Sequence, residues 1–241
     1  MSNLLSFDIE ISDVFDDLAP GEDWNDRAPF HISVAATVPS EPYAGWGKSE
    51  LWFSRVSGRG HPTESINKTE ALALLIYLWN AQDSNHFKVC AWNGLGFDFK
   101  WLGYNAGDME LAKKVALKSY DPMFQFYNQK GFPVGLAKVA AGLGIEQTKL
   151  MDGADAPRKW RDGHYQEVMD YVIGDCEMTN QIIEGIETIG GVRWVTQRGK
   201  LSSEAMPVLK TVEEVLNEPL PNQSWMSDPI SRSSFAGWLD E

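Results

Sequence analysis

Four carboxylates and one tyrosine stand at spacings that a two-metal hydrolytic site would need. Asp8 and Glu10 lie in the apolar run Leu4-Leu5-Ser6-Phe7-Asp8-Ile9-Glu10-Ile11. Side chains alternate faces along a strand. The two acids therefore project together, roughly 7 Å apart, while Leu5, Phe7, Ile9 and Ile11 take the opposite face. Paired carboxylates on one face repel each other unless a cation lies between them. Taken alone, the pair is also what a solvated sheet edge carries.

Tyr171 and Asp175 sit one turn apart in a segment, 163–189, whose apolar positions recur at spacings of three and four, which predicts an amphipathic helix. Asp175 falls on the apolar stripe, where a charge needs a partner or a metal ion. Asp98 follows the turn Asn93-Gly94-Leu95-Gly96, which closes the short apolar run 88–92. It opens a helix predicted from Phe97 to Tyr104. Ligands bind at strand ends in open α/β sheets, although a helix N-terminus favours an acid through its dipole alone.

In combination, Phe7-Asp8-Ile9-Glu10, then Asn93 four residues before Phe97-Asp98, then Tyr171 four before Asp175, resemble the DEDD superfamily of 3′–5′ exonucleases. The tyrosine in the third motif narrows the resemblance to the branch that includes the exonuclease domains of family A and family B DNA polymerases. The histidine branch would need His five residues before Asp175, and Asp170 stands there. The resemblance spans roughly residues 3–190 and implies a catalytic set of Asp8, Glu10, Asp98, Tyr171 and Asp175. By it, Asp8 would bridge two metal ions. Glu10 and Asp175 would help hold the ion that activates water, Asp98 would support the second ion largely through water, and Tyr171 would orient or help deprotonate the nucleophile. An all-oxygen donor set without a Cys/His cluster suits Mg²⁺ or Mn²⁺, not zinc. The expected activity is metal-dependent hydrolysis of phosphodiester bonds at single-stranded 3′ ends, with DNA favoured over RNA only by the polymerase likeness. The alternative is a catalytically inactive nucleic-acid-binding or scaffold module that kept the fold.

Substrate contacts are expected from Asn93, Phe97 and Leu102 beside Asp98, and from the cations Lys149, Arg158 and Arg161. Core packing is the competing reading for Phe97 and Leu102, and solvated loop for the cations. Net charge is −13 across 241 residues, which opposes binding of a polyanion. The charge is uneven: residues 88–161 carry +4, and the segments on either side carry −8 and −9. No run of 18 apolar residues predicts a membrane span, and no basic, apolar leader precedes the first strand. A cytoplasmic protein is the default expectation. Cys90 and Cys176 fall in predicted core elements and are expected to be reduced.

These residues need an α/β scaffold: a ribonuclease-H-like mixed sheet of five strands, three antiparallel and then parallel, flanked by helices. Strands are expected at 4–12, 30–38, 51–56 and 88–92, with a short fifth near 118–121. Asn67-Lys68-Thr69-Glu70 reads as a capping box opening a helix to about Ala81. Asp121 before Pro122 reads as a helix cap. A short helix is expected over 136–142, a strand near 193–197 and a helix near 208–216. The acids of the loop 13–29 show no ligand spacing. Residues 1–195 are taken as the nuclease-like domain. Residues 196–241 are taken as an appendage whose Trp225, Phe235 and Trp238 either pack on the core or offer a partner-binding arm.

Overall fold

The computed structural model describes residues 3–19, 21–40, 48–58, 60–84, 87–146 and 151–241. The chain runs through β1 (Leu4–Ile11), β2 (Ile32–Pro39), β3 (Glu50–Trp52), α1 (Lys68–Asp83) and β4 (Lys88–Cys90). Four helices follow: α2 (Asp98–Ala106), α3 (Met109–Lys118), α4 (Pro122–Lys130) and α5 (Leu136–Leu143). Then come α6 (Ala156–Arg161), α7 (Tyr165–Ile189), β5 (Gly191–Val195), β6 (Leu201–Ala205), α8 (Val212–Leu216) and α9 (Ser233–Ala236).

The main sheet has the order β3-β2-β1-β4. β1 pairs antiparallel with β2 and parallel with β4, and β2 pairs antiparallel with β3. The parallel pairing follows from the helical crossover through α1. The sheet is thus mixed and flanked by helices, as the ribonuclease-H-like expectation requires. The fifth strand is reduced to a single parallel bridge between Cys90 and Tyr120. Tyr120 also bridges Thr211, and Asp121-Pro122 then opens α4, so the chain leaves the sheet after one residue.

Strand alternation sorts the core. Leu5, Phe7 and Ile9 bury into one apolar cluster with α1, α2 and α3. Ser6, Asp8 and Glu10 face α7 instead. Ser6 Oγ donates to Asn180 Oδ1 at 2.7 Å, and Asn180 Nδ2 donates to the Val38 carbonyl at 2.9 Å, which pins α7 across β1 and β2. Cys90 and Cys176 are buried, free thiols.

Asn67 caps α1 by accepting from the Glu70 N–H at 3.0 Å, whereas its own N–H donates to Ser54 Oγ. A serine from the preceding segment therefore fills the return half of the expected box. The predicted strand over 51–56 pairs only from Glu50 to Trp52, with one further bridge from Arg55 to Pro62. β5 and β6 form a separate hairpin in which Val195 faces Leu201. Gly142 lets α5 lie directly on that hairpin: a Cβ there would stand 2.4 Å from the Arg193 carbonyl oxygen. Beyond α8, Phe235 and Trp238 return to pack against the main core. Among the described residues no helix is long and apolar enough to cross a membrane.

Candidate active site

β1 presents Asp8 and Glu10 toward α7, and α7 presents Asp175 back. One oxygen from each of the three carboxylates lies within 4.8 Å of the other two. Asp98, at the start of α2, comes in from the strand-end side. Its Oδ1 accepts the Ile9 N–H at 3.1 Å, which fixes it to the backbone between the two β1 acids. The structure therefore gathers all four sequence-predicted acids, three in one group and the fourth anchored beside them.

Electrostatics set the state of this cluster. Burial, then the carboxylates of Asp98, Asp175 and Glu10, hold Asp8 well above the usual carboxylate range. Burial and the same kind of repulsion raise Glu10. Asp98 is 4 % exposed, and burial pushes it up to about 7 despite the stabilising Ile9 N–H. Asp175 is also raised by burial, against a hydrogen bond from Tyr171 that lowers it. Burial first, then Asp175 and Glu10, push the Tyr171 phenol above its ordinary range. That hydroxyl lies over Gly153, where a Cβ would stand 3.2 Å away.

The donor set fits a hard divalent cation. Every ligand atom is a carboxylate oxygen, as Mg²⁺ and Mn²⁺ prefer. Oxygens this close are within reach of one shared ion, and an ion would remove the repulsion that now raises three of the carboxylates.

The turn that carries Asp98 is held from two sides. Asp121 caps α4 at the Phe124 N–H and also accepts the N–H groups of Asn93 (3.1 Å) and Leu95 (3.0 Å). Asn93 adopts φ 68° there, the left-handed region that asparagine tolerates. Trp238 Nε1 donates to the Leu95 carbonyl at 2.8 Å, and a Cβ on Gly96 would stand 3.1 Å from Phe235. The sequence marked Asp121 as a cap, and it did not mark Trp238 as a brace for this turn. An Asp-Pro pair just after a buried strand was the available signal for the first. Nothing local signals the second.

The expected substrate contacts divide. Phe97 lines a pocket of about 450 Å³ together with Glu10, Val14, Phe15, Trp24 and Arg158. Leu102 is fully buried in the core cluster. The core-packing reading holds for it, because its helix packs against α1 and α3 in that cluster. Asn93 is committed through its backbone to Asp121, and its buried Oδ1 has no hydrogen-bond partner. Arg158 and Arg161 both converge on Asp16, at 2.7 and 3.2 Å. Lys149 lies outside the described residues. The loop 13–29, which offered no ligand spacing, supplies the pocket wall: Trp24 stacks on Phe30 at 4.9 Å and meets Phe97 edge-on at 5.8 Å. Two aromatics, Phe15 and Trp24, in an otherwise acidic loop were the signal for it.

Comparison with known proteins gives two findings. Residues 62–185 match the RNase_H_2 family, described as RNase_H superfamily. Among solved structures, the family B DNA polymerase from the hyperthermophilic archaeon Pyrobaculum calidifontis is similar over 77 % of this chain, with TM-score 0.50 and 16 % identity. The match covers 24 % of the polymerase, so this chain corresponds to about a quarter of that protein's length. No curated protein matches.

Proposed function

The chain belongs to the RNase H superfamily, and from that premise we propose that it is a metal-dependent 3′–5′ exonuclease of the tyrosine-bearing DEDD kind. The observation that carries this reading is the carboxylate group of Asp8, Glu10 and Asp175 within 4.8 Å, with Asp98 tied to the Ile9 N–H beside it. Asp8, Glu10 and Asp175 would hold a divalent ion, and Asp98 would support a second. Paired ions in such sites stabilise the attacking and leaving oxygens of an in-line displacement at phosphorus and lower the pKa of bound water.

The chain's own residues do the positioning. Tyr171, which donates a hydrogen bond to Asp175, would orient or help deprotonate the attacking water. The pocket formed by Val14, Phe15, Trp24 and Phe97 opens beside Glu10 and receives the terminal base or sugar on apolar walls. Arg158 stands at its rim as a cation for the backbone phosphate. DNA is the favoured polymer, on the strength of the polymerase likeness. An inactive binding module is the poorer account: clustered buried carboxylates without a cation oppose folding, and a module with no catalytic use for them would be relieved by their loss.

The test uses 5′-labelled single strands of DNA and of RNA with Mg²⁺ or Mn²⁺, with Asp98→Ala as control. Stepwise shortening from the 3′ end, absent in the variant, is expected. No cleavage under any condition, or equal cleavage by Asp98→Ala, would remove the proposal.

A further inference from the structure

A second concave surface lies on the far side of α5 from the acids. The cavity beside Tyr171 and Asp175 takes Leu136 and Ala137 as part of its wall. The next cleft, of about 570 Å³, takes Val134 and Lys138 from the same segment and closes against the β5–β6 hairpin. The first turn of α5 is therefore a partition shared by the two cavities. Contact through Gly142 sets the hairpin's distance from α5 and so the width of that cleft.

The chemistry of the second cleft is opposite to that of the first. Lys138, Arg198 and Lys200 line it, and none of its lining residues is an acid. All three cations are exposed, and among the described residues none of them forms an ion pair. In a chain with 34 acids and 21 Lys and Arg, three free cations around one acid-free groove are not an average patch of surface. By contrast, Arg158, Arg161, Lys159, Lys130 and Lys210 are each neutralised by a neighbouring carboxylate. Aromatic surface borders the cations. Phe132 lines the cleft, and Trp225, 62 % exposed, meets it edge-on at 6.0 Å. Leu201 on the hairpin is 64 % exposed. A cationic groove with aromatic faces is the composition that tracks a single-stranded backbone and stacks its bases.

We propose that the cleft between α5 and the β5–β6 hairpin binds the single-stranded nucleic acid upstream of the end held at the acids. The identity of this occupant rests on the nuclease reading. The cleft supplies the affinity that the overall negative charge would otherwise deny, by placing unpaired cations where the strand runs.

Fluorescence anisotropy in EDTA reads strand binding apart from chemistry. The probe is a long fluorescein-labelled oligothymidylate, bound by the wild type and by a K138A/R198A/K200A variant across a range of KCl. The variant is expected to bind at least about tenfold more weakly at low salt, with its log–log salt slope reduced by about 2, as loss of three phosphate contacts on a single strand gives. Trp225→Ala is expected to weaken binding about tenfold with the slope unchanged, since stacking carries no charge. Cleavage of a dinucleotide with Mn²⁺ is expected to be unaffected in both variants. An unchanged dissociation constant and slope in the triple variant would overturn the cleft proposal while leaving the exonuclease intact. So would polyglutamate competing as well as the oligonucleotide, which would mark an acidic polypeptide as the occupant. A protein that cleaves nothing, yet loses strand binding in the triple variant, would keep the cleft and remove the exonuclease reading.

Discussion

Asp175 shows what a single carboxylate does here. It belongs to a group of acids held above their ordinary pKa by burial and by one another, so the metal-free fold carries unrelieved repulsion. Linkage gives the sign. Asp98 titrates near 7 when folded, against about 4 in an unfolded chain. Between those values the folded state keeps a proton that the unfolded state has lost. Stability of the metal-free protein therefore falls as pH rises from about 4 to 7. A divalent ion binds the ionised form, so millimolar Mg²⁺ or Mn²⁺ is expected to raise Tm more at pH 8 than at pH 5. Thermal melts in EDTA and in metal check this, and an equal shift at both pH values would contradict it. Asp175→Asn is expected to raise the EDTA Tm at pH 8, abolish the metal-induced shift, and lower kcat by about 10³-fold or more.

Leu102 and Phe97 separate what α2 holds from what it offers. Leu102→Ala is expected to cost about 2–5 kcal/mol of stability, with kcat/KM per folded molecule unchanged, because the side chain is wholly within the core. Phe97→Ala is expected to raise KM for a single strand about tenfold or more, since its ring forms a wall of the pocket beside Glu10. Denaturant melts paired with steady-state kinetics distinguish them, and the reverse pattern would exchange the roles. The C-terminal segment reaches the same element. Trp238→Phe removes the donor to the Leu95 carbonyl, an expected cost of about 1–3 kcal/mol. The turn before Asp98 should loosen with it, lowering kcat several-fold while KM for a dinucleotide holds. Full activity in the Phe variant would limit the tryptophan to packing.

Charge acts over the whole molecule. Two cations of the basic middle of the chain are engaged in three dimensions, because Asp16 from the first acidic loop takes both Arg158 and Arg161. On the proposed reading, an incoming phosphate would compete with that carboxylate for two guanidinium groups. R158A/R161A is expected to weaken strand binding and reduce the log–log salt slope by about 1, whereas Asp16→Asn should strengthen binding and steepen the slope. Titrations at several salt concentrations check both. If Asp16→Asn left affinity unchanged at every salt, competition between carboxylate and phosphate would be ruled out. The cations of the α5–hairpin cleft, having no such partner, are expected to contribute more to the slope per residue.

The order of the acids along the chain, their strand and helix spacings, and the mixed sheet were legible in the sequence because they rest on local periodicity. Side-chain alternation in β1 and one-turn spacing in α7 are properties of each element alone. So are the cap at Asp121 and the helical crossover that makes β4 parallel to β1. Tertiary structure decided everything that depends on distant residues meeting. It chose core packing for Leu102 and gave the acidic loop an aromatic wall in Trp24. It cancelled Arg158 and Arg161 with Asp16, and it brought Trp238 from the far end of the chain onto the turn before Asp98. These pairings lie up to 145 residues apart in sequence, and no local period records them. The three-carboxylate group is of both kinds: its members could be read one by one, but their approach to within 4.8 Å exists only where α7 packs across β1 and β2, through an apolar cluster and the Ser6–Asn180 hydrogen bond.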